Sequence, residues 1–568
     1  MIELKKELTE ILFKTSAGKH LSKDEILELI ELPPDSSFGD LAFPCFKLSK
    51  ALKLKPVEIS EKLKKEVKLT ESFVKSQVKG SYLNFYFNYA KLSEKLLKKV
   101  LEETTLFGKN FVGKGKTVMV EYSSPNTNKP LHFGHLRNHA IGMSVIRLLE
   151  FSGYKVVKAV LYNDRGVGVS KAMLGFELSG KTEPDKKSDH FVGNCYVLFS
   201  KRAKENLELE VKAKELVVKW EQGDKKTLEL WNKINDWAVK GIKETDELFG
   251  SEFDVVFKES DYWNKAEELL VKGREKGVVV DSEGAVILDL EKFNLGKTVV
   301  KKSDGATLYV TCDLALTPDK FKEFNLDKNV WVVASEQNLY FNQLFKFFEL
   351  LGFNWVSKCR HLSYGLVFLP GGRMKSREGK TADADNIIQE LISLAVEQIK
   401  EKHSEVKGEE LKKRSKAIAL SAIKFFLLKV ENNKSITFTP KESLSFEGET
   451  GPYVLYSFAR IKSILRKAGK VEGKPDFKML SEPLEKKLIS LLLKFDEIVL
   501  SSAENLSPNS LCHYLLDLAS TFNSFYHEFP VLKAEQGLMQ ARLQLIQAVS
   551  IVLENGLKLL NIETLEEM

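Results

Sequence analysis

Two histidines three residues apart, His132 and His135, with Gly134 between them, have the chemistry to handle an anion. They lie near the end of the stretch Val120-Glu-Tyr-Ser-Ser-Pro-Asn-Thr-Asn-Lys-Pro-Leu-His-Phe-Gly-His-Leu-Arg-Asn138. Two imidazoles at one point can donate to phosphate oxygens as charge develops there. A second set stands far downstream, in Leu369-Pro-Gly-Gly-Arg-Met-Lys-Ser-Arg-Glu-Gly-Lys380. Arg373, Lys375, Arg377 and Lys380 offer positive charge to a polyphosphate, and the glycines carry little steric cost beside a ligand. Alone, each element also has a plain reading: polar residues at a helix start, and a solvated basic turn. Flanking one sheet, the two suit nucleotidyl transfer, in which an α-phosphate is attacked in line and pyrophosphate leaves. Such catalysis is largely positioning and charge neutralisation, with Mg2+ usual on the leaving group.

The elements that must position these residues follow from periodicity. A β-type run, Thr117 to Tyr122, precedes the histidines and a helical run, Leu136 to Phe151, follows. Strand, polar loop and helix start present backbone N–H groups and the helix dipole to an anion. Pro125, Asn126 and Pro130 stiffen the loop. Residues 116–384 alternate strand and helix, with strands expected at 156–162, 285–290, 308–311, 330–335 and 361–369. That alternation predicts a parallel sheet. Between about 176 and 275 the pattern turns helical and charged, with Trp220, Trp231 and Trp237 as core aromatics, and reads as an insertion splitting the sheet. Residues 1–110 form a separate α+β module, with a helix opening at Pro56 and a strand at 81–87. Residues 1–109 carry 20 lysines, no arginine and 16 acids, which fits a solvated surface or a weak RNA-facing one. Residues 385–568 have a helical period throughout, in runs at 387–402, 411–430, 453–468, 483–501, 510–529 and 536–560, and predict a helical bundle.

Composition bounds the function class. The 568 residues, 43% hydrophobic and 29% charged, read as a soluble chain of about three or four domains. No run approaches the roughly 18 apolar residues of a membrane helix, so no membrane association is expected. The acid-containing start Met1-Ile-Glu-Leu-Lys-Lys-Glu-Leu matches neither a signal nor a transit peptide. Five cysteines stand far apart with no CxxC, against a zinc site or a disulfide framework, so a reducing, cytoplasmic setting is expected. A net charge of +7 permits nucleic-acid binding through local patches without requiring it.

The two loops resemble the "HIGH" and "KMSKS" signatures of class I aminoacyl-tRNA synthetases. Ser123 to Asn138 is similar to the form found in arginyl-tRNA synthetases. Further segments resemble that family: Thr307-Leu-Tyr-Val-Thr-Cys-Asp313, Ala334-Ser-Glu-Gln-Asn338, Gly451 to Arg460, Ala519 to Leu532, Phe38-Gly-Asp-Leu-Ala42 and Gly80 to Phe85. The resemblance spans essentially the whole chain. It implies an α/β Rossmann-like catalytic domain, its parallel sheet split by a helical insertion. An α+β N-terminal domain that contacts tRNA and an all-α C-terminal anticodon-binding bundle complete the implied fold. The implied activity is ligation of L-arginine to tRNA(Arg) with ATP. Mg2+ would accompany the nucleotide with no dedicated protein site, activation would require bound tRNA, and the protein would be a monomer.

Site residues carry over by position. The resemblance places Glu121, Ser123, Asn126, His132, Tyr309, Asp313 and Gln337 on arginine. It places His132, Gly134, His135, Asn138, Met374, Lys375, Ser376 and Arg377 on ATP. A guanidinium has five donors and no acceptor, so Glu121, Asp313 and Tyr309 are chemically apt. Tyr453, Tyr456 and Arg460 fall at helical spacings in the C-terminal region, where they suit unstacked bases of tRNA or, for the tyrosines, the core. Two departures from the family stand out. Met374-Lys-Ser-Arg377 has arginine where the second lysine is usual, and Lys129, just ahead of the histidines, sits where a compensating lysine is expected. His132, His135, Lys129, Lys375 and Arg377 are thus the implied catalytic set. Asn163-Asp-Arg-Gly-Val-Gly168 replaces a more frequent Gly-Asp-Trp-Gly form. No editing domain is expected, since few natural amino acids mimic a guanidinium. The alternatives are a synthetase for lysine, an idle RNA-binding paralogue and a small nucleotidyltransferase. The Tyr309/Asp313 pair, the intact site residues and the long helical C-terminal region weigh against them in turn.

Overall fold

A computed structural model describes residues 1–302, 309–369, 383–469 and 473–568. Its centre is a five-stranded sheet built from Thr117–Ser123 (β1), Lys155–Tyr162 (β2), Val255–Lys258 (β3), Lys328–Ala334 (β4) and Cys359–Tyr364 (β5). The spatial order is β5-β4-β1-β2-β3 and every pairing is parallel. β1 is buried from Val118 to Ser123, which suits its nearly unbroken apolar run in a strand covered on both faces. The helix that follows β1, Phe133–Phe151 (α1), leads to β2 on one side, while β4 pairs on the other. The order therefore reverses at β1, and a crevice opens at the carboxyl ends of β1 and β4, where such sheets bind ligands. α1 lies close on β1 because Gly142 has no side chain; a Cβ there would stand 2.2 Å from that of Tyr122.

Four helices separate β2 from β3: Val167–Ser179 (α2), Ser188–Glu205 (α3), Glu208–Glu221 (α4) and Lys225–Phe249 (α5). The region expected to be a helical insertion over 176–275 thus also contains β3, a short edge strand with partly exposed residues that periodicity does not reveal. The run at 285–290 does form a strand, Ala285–Asp289, but outside the parallel sheet. It is the middle of an antiparallel meander with Val279–Ser282 and Lys297–Lys301. Glu283 and Gly284, at φ 50° and 82°, make the tight turn that pairs it locally. The strand expected at 308–311 is a helix from its first described residue: Tyr309–Phe324 (α6). Its β-branched and aromatic start favours a strand, but Val310, Leu314 and Ala315 bury in a core beneath the sheet at helical spacing, and packing overrides propensity. Asn338–Leu350 (α7) follows β4.

The N-terminal region is α+β. Its three-stranded antiparallel sheet places Tyr82–Phe87 between Leu41–Pro44 and Phe73–Lys79. The helix Pro56–Glu66 has its proline in the first turn, as its sequence requires. The C-terminal region is built of helices, Ala384–Lys402 (α8), Gly408–Leu428 (α9), Gly451–Ala468 (α10), Pro483–Glu504 (α11), Asn509–Glu528 (α12) and Gln536–Leu559 (α13), with one two-residue strand, Ile436–Thr437, paired to Val367–Phe368. The bundle shares one apolar core with the sheet domain, and buried polar contacts add to it. The buried Arg137 donates to the carbonyls of Gly365 (2.7 Å) and Asn432 (3.2 Å), and Ser144 to that of Leu559 (3.0 Å). No described helix is long and apolar enough to cross a membrane.

Candidate active site

His132 caps α1, so both histidines sit at the positive end of a 19-residue helix. The His132 N–H donates to Nδ1 of His135 (3.0 Å), and the two rings lie 3.8 Å apart at 30°. Gly134 leaves room for this; a Cβ there would come 3.0 Å from His132 Cε1. Burial and the Lys129 ammonium push the His132 imidazole down to about 4, and burial, then His132, lowers His135 as well. Burial also lowers Lys129. At neutral pH the two rings are therefore neutral, each with one N–H to offer. The loop before them is clipped to the segment at 163–168. Thr127 N–H donates to the Asn163 carbonyl (3.2 Å), Asn163 N–H to that of Pro125 (3.0 Å), and the Asn163 amide to that of Ser124 (3.0 Å). The next residue, Asp164, accepts from the N–H and hydroxyl of Ser260. Thus the departure at 163–168 is a brace between β1, β2 and β3.

Beside this loop, at the carboxyl ends of the strands, lies a cavity of about 540 Å³. Glu121, Asn126, Asp313 and Gln337 all line it, from β1, the loop after β1, α6 and the loop after β4. Ser124, Arg165, Glu259 and Tyr340 line it too. Glu121 stands opposite Trp331 in the β1–β4 register and accepts from the buried Lys320 at 2.5 Å. Asp313 accepts from the Tyr340 hydroxyl. Burial, and then the charge of Glu121, raise Asp313 to about 6. Burial raises Glu259 to about 7, against the Arg165 guanidinium and with Asp164 and Asp313. Carboxyls this reluctant to ionise are stabilised as carboxylates by a bound cation, and several acceptors around one volume suit a planar cation with many donors.

Two other expected residues, Ser123 and Asn138, do not line this cavity. Ser123 is buried with its hydroxyl 3.0 Å from His139 Nε2, and its neighbour Ser124 faces the cavity instead. Asn138 is buried and donates to the Val332 carbonyl (2.6 Å), tying α1 to β4. Met374, Lys375, Ser376 and Arg377, with Arg373 and Lys380, fall outside the described residues, as does the side chain of Tyr309. The chain re-enters at Asp383 directly beside the histidines. His132 and Asp383 form a β-bridge, and Ala384 N–H donates to the Leu131 carbonyl (3.0 Å). Sequence reasoning passed over Glu259, Lys320 and Tyr340. Glu259 had a signal: it follows the short apolar run Val255-Val-Phe-Lys258, and a strand there puts an acid at the carboxyl end of the sheet.

Among the described residues, one group, Asp189, His190 and Asp385, brings three metal-type ligand atoms within 4.8 Å of one another. The Lys187 ammonium already bridges it, 2.6 Å from Asp385 and 3.2 Å from Asp189, so it is an ion-pair cluster, and none of its members lines the cavity.

In the C-terminal region a second cavity, of about 920 Å³, is lined by Tyr456, Arg460, Tyr526 and His403. Arg460 lies 4.7 Å from the Tyr456 ring centroid and 5.7 Å from that of Tyr526, and donates to Asn523 (2.7 Å). Tyr456 is exposed; Tyr453 packs against the core and does not line the cavity.

Known proteins match this architecture throughout. The family described as "tRNA synthetases class I (R), catalytic domain" matches residues 96–439. "Arginyl tRNA synthetase N terminal domain" matches 3–87, and "DALR anticodon binding domain" 454–568. The arginine–tRNA ligase of Treponema denticola is 41% identical over 557 residues, covering 95% of this chain and 94% of that protein. That of Borrelia hermsii is 37% identical with full coverage of both. Among solved structures, the Thermus thermophilus arginyl-tRNA synthetase superposes with a TM-score of 0.83 at 28% identity, over 100% of each chain. Likeness at this level, through all three regions and from one end to the other, makes the chain a member of the class I arginyl-tRNA synthetases.

Proposed function

We infer that this chain is an arginine–tRNA ligase whose amino-acid pocket is the carboxylate-lined cavity at the carboxyl ends of β1 and β4. The observation that carries the pocket assignment is that Glu121, Asp313 and Glu259 face one volume, with Asp313 and Glu259 raised by burial to about 6 and about 7. A guanidinium entering there turns that unfavourable burial into charge-assisted hydrogen bonds. Asn126, Ser124 and Gln337 supply the polar groups for the α-amino end. In the first step a carboxylate oxygen of arginine attacks the α-phosphorus of ATP. The new C–O–P linkage forms as the bond to the β-phosphate oxygen breaks, and pyrophosphate leaves. The two neutral imidazoles and the N-terminus of α1 donate to the phosphoryl oxygens as charge builds. Lys129, Lys375 and Arg377 offset the charge of the leaving group. Mg2+ comes with the nucleotide rather than from a protein site. In the second step a hydroxyl of the terminal adenosine of tRNA(Arg) attacks the arginyl carbonyl and AMP leaves.

The aromatic and cationic groove at Tyr456, Arg460 and Tyr526 is the place for unstacked bases of the tRNA. The protein acts as a monomer in the cytoplasm. Charging of a tRNA pool with labelled arginine tests the assignment: arginine is incorporated, and incorporation of lysine in its place would overturn it.

A further inference from the structure

α3 lies against the loop before the histidines and against the start of α8. At Gly193 it presses on the first loop, where a Cβ would stand 2.7 Å from Pro130 Cδ and 3.6 Å from Lys129 Cα. One turn earlier it grips the start of α8. Lys187 Nζ donates to Asp385 Oδ2 (2.6 Å), Asp189 Oδ2 (3.2 Å) and Thr245 Oγ1 (2.5 Å), and Thr245 donates to Asp385 Oδ1 (3.0 Å). His190 Nε2 lies 2.8 Å from Asp385 Oδ2 and 3.5 Å from Asp383 Oδ2. Asp383 is the residue bridged to His132, and its side chain caps α8 at Asn386 (3.1 Å). α3 is itself fixed from behind by glycines: a Cβ on Gly175 of α2 would stand 1.9 Å from the Cys195 carbonyl oxygen, and one on Gly241 of α5 2.3 Å from Asp189 Oδ1.

We propose that Lys187 and His190 are positioning residues for arginine activation: through Asp385 and Asp383 they fix the seam at which the chain following Lys375 and Arg377 rejoins His132. This rests on the reading of the two loops as the ATP site. Neither residue touches substrate. Their effect is to set the spacing of the groups that do, and a misplacement of about 1 Å originating away from the chemistry costs on the order of a hundredfold in rate. The cation that matters on the histidine is the imidazolium. It faces Asp383 and Asp385 at the start of α8 and Asp189 on its own helix, while Lys187 and Thr245 of α5 share Asp385 with it. Its hydrogen bond to Asp385 outweighs burial and raises it above 6.5. The clamp is therefore complete below that range and loosens as pH rises through the raised value.

The test is arginine-dependent ATP–pyrophosphate exchange by the full chain with tRNA present, for the wild type, Lys187→Met, Lys187→Arg and His190→Gln. The proposal expects Lys187→Met to lower kcat, or raise the KM for ATP, by about tenfold or more, with the KM for arginine unmoved. Lys187→Arg restores most of the activity. In the wild type kcat/KM for ATP falls at alkaline pH, and His190→Gln removes that limb. Unchanged kcat and KM in folded Lys187→Met and His190→Gln would overturn the clamp. So would a parallel loss for ATP and arginine, together with a lowered melting temperature, that Lys187→Arg does not relieve. A wild type with no arginine-dependent exchange would overturn the reading of the loops, and the clamp with it.

Discussion

Burial raises Asp313 to about 6 and Glu259 to about 7, and that sets how the pocket responds to acid. The proposed arginine pocket needs both as carboxylates. As pH falls through about 7 and then about 6 they take up protons, so the KM for arginine rises while that for ATP stays level. Initial rates across this range at saturating ATP check the sign. Asp313→Asn keeps the shape and the bond from Tyr340 but loses the charge. A hydrogen bond to a charged group is worth about 1.5–3 kcal/mol, so the KM for arginine rises by roughly ten- to a hundredfold, and an unchanged value contradicts the pocket. The same substitution removes a buried carboxyl crowded by Glu121, so the melting temperature of the variant rises. At this scale Glu121, Asn126, Asp313 and Gln337 were legible through resemblance alone. Tyr340, which lines the cavity, and Lys320, which pairs with Glu121, were not, because their helices come to this place only through long-range packing, and Glu259 had only the short run before it as a signal. Ser123 and Asn138 carried the right residue types, but β1 and α1 turn both inward, toward His139 and Val332.

The elements show where periodicity suffices and where it fails. The bundle helices lie where their long apolar stripes put them, and α1, buried on every side, lies where its long apolar run does. The meander at 279–301 and α6 do not follow the local pattern, since a tight turn at Glu283-Gly284 captured one strand and burial of Val310 and Leu314 imposed a helix on the other run. β3, four residues at an edge, has too little pattern to be read. The contact of α1 with β1 is the most exacting of these joints. Gly142→Ala sets a methyl against the Tyr122 side chain, an overpacking that costs about 1–3 kcal/mol. A lower thermal midpoint together with reduced exchange activity is expected, because the same helix carries His132 and His135 at its start. A midpoint equal to that of the wild type contradicts the packing.

Across the whole molecule, the sequence told three regions apart by period alone, but not how they join. One apolar core runs through all three, and Arg137, Ser144 and Asn555 add hydrogen bonds across the joints to the carbonyls of Asn432, Leu559 and Thr104 respectively. Nothing in their local sequence announces such partners. The groove at Tyr456 and Arg460 belongs to the bundle, apart from the proposed amino-acid pocket, so its loss is expected to affect one substrate and not the other. Stacking of a base on an aromatic ring is worth about 1–3 kcal/mol, and Tyr456→Ala therefore raises the KM for tRNA while leaving that for arginine alone; steady-state charging kinetics check this. The most direct test of the whole account is ATP–pyrophosphate exchange with each of the standard amino acids in turn, with and without tRNA(Arg). Exchange driven by arginine alone, and dependent on the tRNA, is the predicted result. Exchange driven by lysine or any other amino acid without arginine would contradict it.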